Sequence, residues 1–511
     1  MGFKLIEVKL PTSYSDAELK DKISRVIKTN DFSFQIESKS LDARNKRQIH
    51  WLLRIGVYAR GLAGSEPDHP SALEIPFKSR NKRIVIVGSG PAGFFAAFVL
   101  QKAGFETIIL EQGSEVGKRV PGISDFEKTG FFDPLATYAF GEGGAGTFSD
   151  GKLTSRSKHI SSERDFFLST YIAAGAPDEI RYLAYPHVGS DNLRKVVVNL
   201  REQYRQMGGS IRFETPLQDL IVNKGKVLEA ITPAGPIAAS LFVVAPGHSS
   251  YKTYRMLMDR GINFRTKSFA IGFRAEHLQR DINRAQWGVA DLPGVKAAEY
   301  RLTSQADSRH PVYSFCMCPG GMVVPASTGP DINIVNGMSN YRRDGRFANA
   351  GFVAGVHPDQ LAGTRVTPSG ALDWLEALER SFYNYSQGFQ APFCRISDFI
   401  NKTESEGIPD TSYPLGLKPA VLREMVPVFV ADALTEGLKD FIRRIKGYDR
   451  GILLGLESKT SSPIQVLREP DGKCTGFANL YLAGEGGGYA GGIVSSAADG
   501  IRMAMNILNA G

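Results

Sequence analysis

The chain has 511 residues, 42% hydrophobic and 22% charged, a globular mixture too long for one ordinary core, so two or three domains are expected. Its 4 cysteines exclude a disulfide framework and point to a reducing cytoplasm, while the charged, alternating start does not read as a signal peptide. The net charge of +8 raises nucleic acid as a partner, but the basic residues are spread along the chain and cluster only at Lys78–Arg83 and Arg443–Arg450.

Residues 1–78 read as a separate α+β module. Phe3–Leu10 alternates like a strand, Ser15 caps a helix running to Lys28, and Phe32–Ser38 and Ile49–Ala59 are two more strands. Ala63–Pro76, with three prolines, reads as a linker. The character then changes. Ile84–Val87 is a continuous apolar strand of the kind buried in a parallel sheet. A glycine-rich turn follows, then an apolar helix to Ala103, a stop at Gly104, and a strand from Thr107 to Leu110 that ends in Glu111. The apolar run Ile84–Leu110 is broken by Gly88, Gly90, Pro91, Gly93, Gly104 and Glu106, so it is not a spanning helix, and no membrane partner is expected. A helix at Leu193–Met207, a strand at Ser210–Glu214 and short strands up to Gly247 continue the same domain. Strand-like runs at Phe269–His277, Val312–Gly321, Met322–Ser327 and Ile332–Ser339 then precede helical runs at Ser369–Ser386 and Ala420–Arg444. They read as an insert over 251–446, dividing a domain that occupies 80–250 and resumes at 447–511. The final part holds a short buried strand, Leu480–Glu485, a glycine-rich turn and a helix from about Ile493.

Gly88-x-Gly90-x-x-Gly93 carries the chemistry. It follows an apolar strand, opens a helix, and is followed by Glu111, 18 positions after Gly93, the context of a dinucleotide fingerprint. Gly88 allows the tight turn, Gly90 lets backbone approach a pyrophosphate, and Gly93 lets helix and strand pack closely. The helix N-terminus offers free N–H groups to phosphate, and Glu111 would accept from the adenosine ribose. The segment Ala483–Gly492 distinguishes FAD from NAD: Gly484, Glu485, Gly491 and Gly492 lie between a strand and the helix begun by Ile493. FAD needs such a second helix start for its ribityl chain and isoalloxazine; NAD does not. Phe140–Lys152, with five glycines, is expected to line the flavin through Gly143, Gly144, Gly146, Thr147 and Lys152. Ser89, Pro91, Ala92, Gln112, Arg119, Ala245 and Gly247 complete the expected contacts to a non-covalent FAD. No separate NAD(P)H fingerprint is visible in 250–450, so nicotinamide is expected only as a transient donor.

Taken together, GSGPAGFFAA, EGGAGTFSDGKLTSR, FCMCPGG, TSSP and AGEGGGYAGGIVSSAADG resemble a bacterial family of largely uncharacterised FAD-dependent dehydrogenases. That family sits within the glutathione-reductase-like and hydroxybenzoate-hydroxylase-like flavoproteins. The resemblance runs from about residue 80 to the end and includes the small module. It implies an α/β fold in which a Rossmann-type FAD-binding domain is interrupted by an inserted α+β substrate domain. An aspartate usually closes the ribityl-binding strand in the wider group, and Glu485 stands there, one methylene longer.

The catalytic residue is not legible. Lys152, His187, His248, Tyr489 and Lys459 are candidate proton donors, with a structural role the ordinary reading for His248. Cys316 and Cys318 are spaced to share one strand face, as a redox pair would need. Extended geometry would hold their Cα atoms about 6.5–7 Å apart, near or beyond disulfide reach, so buried inert thiols are the default. Cys394 and Cys474 show no second ligand pair, and no metal is expected. Arg156, Arg274, Arg342 and Arg343 could grip an anionic substrate, though surface pairing is arginine's common fate. The expectation is an FAD-dependent oxidoreductase passing a hydride through flavin N5 to or from a small molecule. Its rivals are an RNA-modifying flavoprotein and a non-catalytic, flavin-bound regulatory protein.

Overall fold

The computed structural model describes residues 2–67, 72–155, 157–305 and 309–510. In the N-terminal module, β1 (Gly2–Pro11) and β2 (Phe32–Asp42) both pair antiparallel with β3 (His50–Ala59), and α1 (Asp16–Ile27) covers one face. Alternation puts Ile6, Val8 and Leu10 on that face with Leu53, Ile55 and Val57, where they meet Leu19 and Ile23, four apart on the helix. Ser15 accepts from the Glu18 N–H while Glu18 accepts from the Ser15 N–H at 2.7 Å, a reciprocal cap. The module is docked rather than tethered. Lys39 N–H donates to the Tyr182 carbonyl at 2.8 Å, and Leu41, Ala43 and Ile49 pack on the large core of the insert. Residues 68–71 of the expected linker lie outside the described residues; the rest of it holds no helix or strand, although Gly64 accepts from Phe3 N–H at 2.7 Å.

The cofactor domain contributes, in order, β4 (Arg83–Val87), α2 (Pro91–Lys102), β5 (Glu106–Leu110), α3 (Val116–Thr129), α4 (Ser161–Ala173), α5 (Ser190–Gln206) and β6 (Ser210–Arg212). A small antiparallel sheet, β7 (Asp219–Asn223), β8 (Lys226–Thr232) and β9 (Gly235–Ala238), precedes β10 (Leu241–Val244) and α6 (Tyr251–Asp259). The insert follows. Its elements are β11 (Phe264–Thr266), β12 (Phe269–Leu278), α7 (Gln279–Trp287), β13 (Thr303–Ser304), β14 (Val312–Pro325), β15 (Val335–Ser339), β16 (Phe347–Val356), α8 (Pro358–Ala362), α9 (Pro368–Ser386), β17 (Ala391–Arg395), α10 (Ile396–Asn401), β18 (Leu417–Pro419), α11 (Val428–Arg444), β19 (Ile452–Glu457) and β20 (Ile464–Val466). The chain then returns through β21 (Leu480–Leu482) to α12 (Ile493–Ala510).

Five strands form a parallel sheet in the order β21-β10-β4-β5-β6. The chain leaves β4 through α2 toward β5 on one side, and β10 and β21 join on the other. That reversal opens a crevice at the carboxyl ends of the strands, the place where such sheets bind ligands. α12 lies against α2 through Gly500, where an added Cβ would stand 2.0 Å from the Ala92 carbonyl oxygen. Among the described residues no helix is long and apolar enough to cross a membrane.

The insert is an eight-stranded mixed sheet in the order β13-β14-β16-β12-β19-β17-β18, with β15 paired to β14. Phe273 and Ala275 of β12 point into a core with Leu372 and Phe382 of α9, Phe399 of α10, and Leu434 and Phe441 of α11. Arg274, between them, points to the opposite face. The structure differs from the sequence reading in four places. Val312–Gly321 and Met322–Ser327 are one strand, β14. β16 was not anticipated, because Ala348, Ala350, Ala354, Gly351 and Gly355 remove the polar–apolar alternation that marks a strand. The helix expected over Ala420–Arg444 is cut by Pro427 into a turn at Leu422–Met425 and α11. β19 lies past the boundary expected at 446, yet pairs with β12 and β17 inside the insert's sheet.

Candidate functional site

The crevice becomes a cleft of about 1030 Å³, mouth included. Two of the three fingerprint glycines serve packing. Gly88 has φ +96, and a Cβ there would lie 2.3 Å from the Ala245 carbonyl oxygen; one on Gly93 would lie 2.1 Å from the Gly88 oxygen. Gly90 differs. It caps α2 with φ −67, and its Cβ would meet nothing nearer than the Gly144 Cα at 3.8 Å, so it keeps the cleft open. Of the expected contacts, Gly88, Gly90, Pro91, Ala92, Glu111, Gln112, Gly144, Gly146, Ala245, Gly247, Glu485, Gly492 and Ile493 line the cleft. Ser89 and Gly143 border a smaller neighbouring pocket with Glu142 and Arg201. Gly93, Thr147 and Gly484 stand behind the lining, and Gly491 is exposed beside it; Thr147 Oγ1 donates to the Glu142 carbonyl and a Gly484 Cβ would press on Ala92 at 2.5 Å.

Glu111 is buried, and its carboxylate accepts from Ser89 N–H and Oγ–H (both 2.8 Å) and from the N–H groups of Gly113 and Gly141 (both 3.0 Å). These fill a carboxylate's four acceptor positions and tie the fingerprint turn to the 141 loop; a ribose hydroxyl would have to share or displace one. Arg119, expected at the cofactor, is instead a fully buried brace. Its guanidinium donates to the carbonyls of Thr137, Glu142 and Gly144 at 2.6–3.2 Å, and burial lowers its pKa to about 10 against the pull of Glu111 and Glu142.

The lining suits a long dinucleotide. The first residues of α2 and of the 18-residue α12 both line the cleft. Gly247 and Gly492 would add a Cβ into open space. His248, which the sequence reading left as structural, lines the cleft with Nδ1 3.4 Å from Glu485 Oε1, and its buried Nε2 has no partner among the described residues. These features fit FAD.

A buried charge cluster ties the segment after the glycine-rich 140s loop to the insert. Asp150 accepts from Arg343 at 2.6 Å, from Lys152 at 2.5 Å and from the Ser339 hydroxyl. Burial would lower the Lys152 pKa, but Asp150 outweighs it and the ammonium is held above its ordinary value. Its Nζ also donates to the Met317 carbonyl. His187 is buried beside Arg343, with Nε2 3.1 Å from the Tyr341 carbonyl, and burial together with that guanidinium drops it to about 4. Neither is poised to donate a proton at neutral pH. Arg274, fully buried, bonds Glu457 at 2.5 Å, Asn349 at 2.8 Å and the Cys316 carbonyl at 2.6 Å. The remaining candidates lie apart. Tyr489 donates to Val466 at 3.0 Å beneath Arg468, Lys459 pairs with Glu379 at 2.7 Å, and Arg342 is exposed beside Asp344. Arg156 lies outside the described residues. The structure thus brings Lys152, His187, Arg343, Arg274, Cys316 and Cys318 into one region. Asp150, Asn349 and Glu457 complete it; polar residues on otherwise apolar strands were the signal that could have found Asn349 and Glu457.

Residues 268–460 match the model of a FAD-dependent protein, C-terminal domain-like, and residues 86–142 that of an NAD(P)-binding Rossmann-like domain. An uncharacterized protein of Clostridium beijerinckii is 36% identical over 509 residues, 96% of this chain and 93% of that one. An L-amino acid oxidase of Cerastes cerastes is 55% identical over 42 residues, 8% of each chain. Among solved structures, CtdE in complex with FAD aligns at 13% identity over 84% of this chain and 86% of that one, with a TM-score of 0.33. Glycine oxidase from Bacillus cereus aligns at 12% identity over 84% and 95%, with a TM-score of 0.35. The fold and the family models define an FAD-dependent protein with a Rossmann-like cofactor domain and a sheet-rich C-terminal domain. The chain belongs to the same family as the clostridial protein, and its two matched regions are those of FAD-dependent and NAD(P)-binding Rossmann-like proteins.

Proposed function

We propose that this chain holds FAD non-covalently and passes a hydride to or from a small-molecule substrate where the cleft meets the inserted sheet. The observation that carries the reading is the cleft itself, which starts at the fingerprint turn and ends at His248, Glu485 and the first residues of α12. In it the N-terminus of α2 would hold the pyrophosphate, and Gly90 and Gly144 would let it approach the backbone. Glu485 would accept from ribityl hydroxyls. The N-terminus of α12 would favour negative charge at the pyrimidine end of the ring. Bound there, the flavin supplies the two-electron chemistry at N5, and the protein orients it and shapes the substrate space. His248 Nε2 is placed to hold a proton or a polar substrate atom. Arg274 and Arg343 are each paired with a buried carboxylate, Glu457 and Asp150, so they order the insert's polar face rather than offer free charge to a substrate.

The test is an anaerobic visible spectrum of the purified protein, followed by additions of NADH and NADPH. Oxidised-flavin bands that bleach within seconds identify a nicotinamide-fed enzyme, with nicotinamide docking transiently. Bands that persist until dithionite is added point to a substrate-fed dehydrogenase or a non-catalytic flavoprotein. A protein that carries no flavin and cannot be reconstituted with FAD sinks the reading.

A further inference from the structure

We propose that Cys316 and Cys318 form a reversible dithiol–disulfide couple that exchanges an electron pair with the bound flavin, an inference that rests on the FAD oxidoreductase reading above. The objection from extended geometry does not apply to this strand. Between the pairs Phe315↔Gly351 and Cys318↔Asn349, β14 advances three residues while β16 advances two, so the cysteines sit in a β-bulge. Cys316 takes a left-handed φ of +43, uncommon for a side chain with a Cβ and a mark of functional strain. The bulge folds the chain back until the Cys318 S–H donates to the Cys316 carbonyl at 3.3 Å.

Two cations converge on the same turn. Arg274 donates to the Cys316 carbonyl and lies 3.5 Å from the Cys318 sulfur, while Lys152 donates to the carbonyl of the residue between them. Such surroundings favour a thiolate. The chain supplies its own contrast. Cys394 and Cys474 are buried among apolar groups, and burial pushes each thiol up to about 12. The Cys316 thiol moves the other way: hydrogen bonding from Cys318, then Arg274 and Lys152, draws it below its ordinary value and leaves the proton on Cys318. Exposure divides the roles too. Cys316 is half-buried and reachable, as an attacking sulfur must be, and Cys318 is buried, as suits its partner.

The couple also connects to the cleft. Arg274 bridges from the Cys316 carbonyl to Glu457, whose carboxyl feels the charge of His248 in the cleft wall. Glu457 Oε1 and Asn349 Nδ2 are buried and have no hydrogen-bond partner among the described residues, so this face is furnished for polar atoms that the chain itself does not supply. In the oxidising direction the Cys318 S–H bond breaks and an S–S bond forms between the two sulfurs. The electron pair and that one proton pass to the oxidised flavin, so charge and hydrogen balance. Reduction reverses the step, or an external dithiol restores the pair by exchange at Cys316.

The test has two parts. Wild-type protein loaded with FAD is oxidised with diamide, alkylated with iodoacetamide, digested and weighed; the peptide containing both cysteines is expected unalkylated and lighter by two hydrogens. Dithiothreitol is then added anaerobically to the loaded protein. The flavin bands are expected to bleach at least about tenfold faster in wild type than in Cys316→Ser or Cys318→Ser, with FAD content unchanged. Alkylation of both cysteines after diamide, or equal bleaching in all three proteins, overturns the couple while leaving the cofactor reading intact. Failure of wild type to hold FAD removes that reading instead. Peptide mapping needs only the wild-type chain, so variants that do not fold do not blunt the test.

Discussion

Single residues divide the fingerprint into parts that fold the chain and a part that meets the ligand. Because a Gly90 Cβ has room and Gly93 has none, the two substitutions should separate. Gly90→Phe should keep the apoprotein's melting temperature and lose FAD, read as the flavin-to-protein absorbance ratio after gel filtration. Gly93→Ala should destabilise the apoprotein by about 1–3 kcal/mol in urea unfolding, because the Gly88 carbonyl must move. Asp150→Asn leaves Arg343 and Lys152 without their buried counter-charge and should cost about 3–5 kcal/mol by the same assay. Acid should act through buried imidazoles. Burial holds His277, with Nε2 2.8 Å from the Tyr448 carbonyl, down to about 4, and His187 has fallen similarly. A histidine depressed in the fold binds its proton more readily once unfolded, so its stabilisation is complete above about pH 6.5 and is lost as the pH falls toward 4. Melting temperature should therefore drop between pH 7 and 5, and His277→Gln should flatten that slope.

At the scale of elements, the cofactor end was legible because its signals are local. The turn, helix, strand and Glu111 span 24 consecutive residues, 88–111, and the second glycine cluster announces its own helix. The insert was not. β16 is built from alanine and glycine so that other layers can approach it, which erases the pattern that declares a strand. The bulge at Cys316 looks like plain strand in one dimension, because it exists only in register with Gly351 and Asn349. Asp150 and Arg343 meet across 193 positions, a pairing no motif announces. Arg119 misled because a basic residue near a phosphate site suggests an anion, whereas its work is to hold the 137–144 loop by its carbonyls. Arg119→Met should leave those carbonyls unpaired, weaken FAD affinity by about tenfold or more, and be read by flavin fluorescence titration.

Across the whole molecule, the N-terminal module belongs to the insert's core as much as to itself. Thr12 presses so closely on Gly294, φ +77, that a Cβ there would lie 1.9 Å from the Thr12 carbonyl oxygen. Removing residues 1–62 would uncover the apolar surface now met by Leu41, Ala43 and Ile49. The truncated chain should melt several degrees lower and aggregate at concentrations where the full chain stays monodisperse by light scattering. The division of the cofactor domain has a further consequence, in time rather than space. β4 and β10 reach the parallel sheet early, but β21, Glu485 and α12 are made only after the entire insert. On a growing chain the nucleotide half of the cleft can form long before its far wall exists. Capture of the flavin is therefore a late event, a seal set on a chain whose substrate domain is already in place.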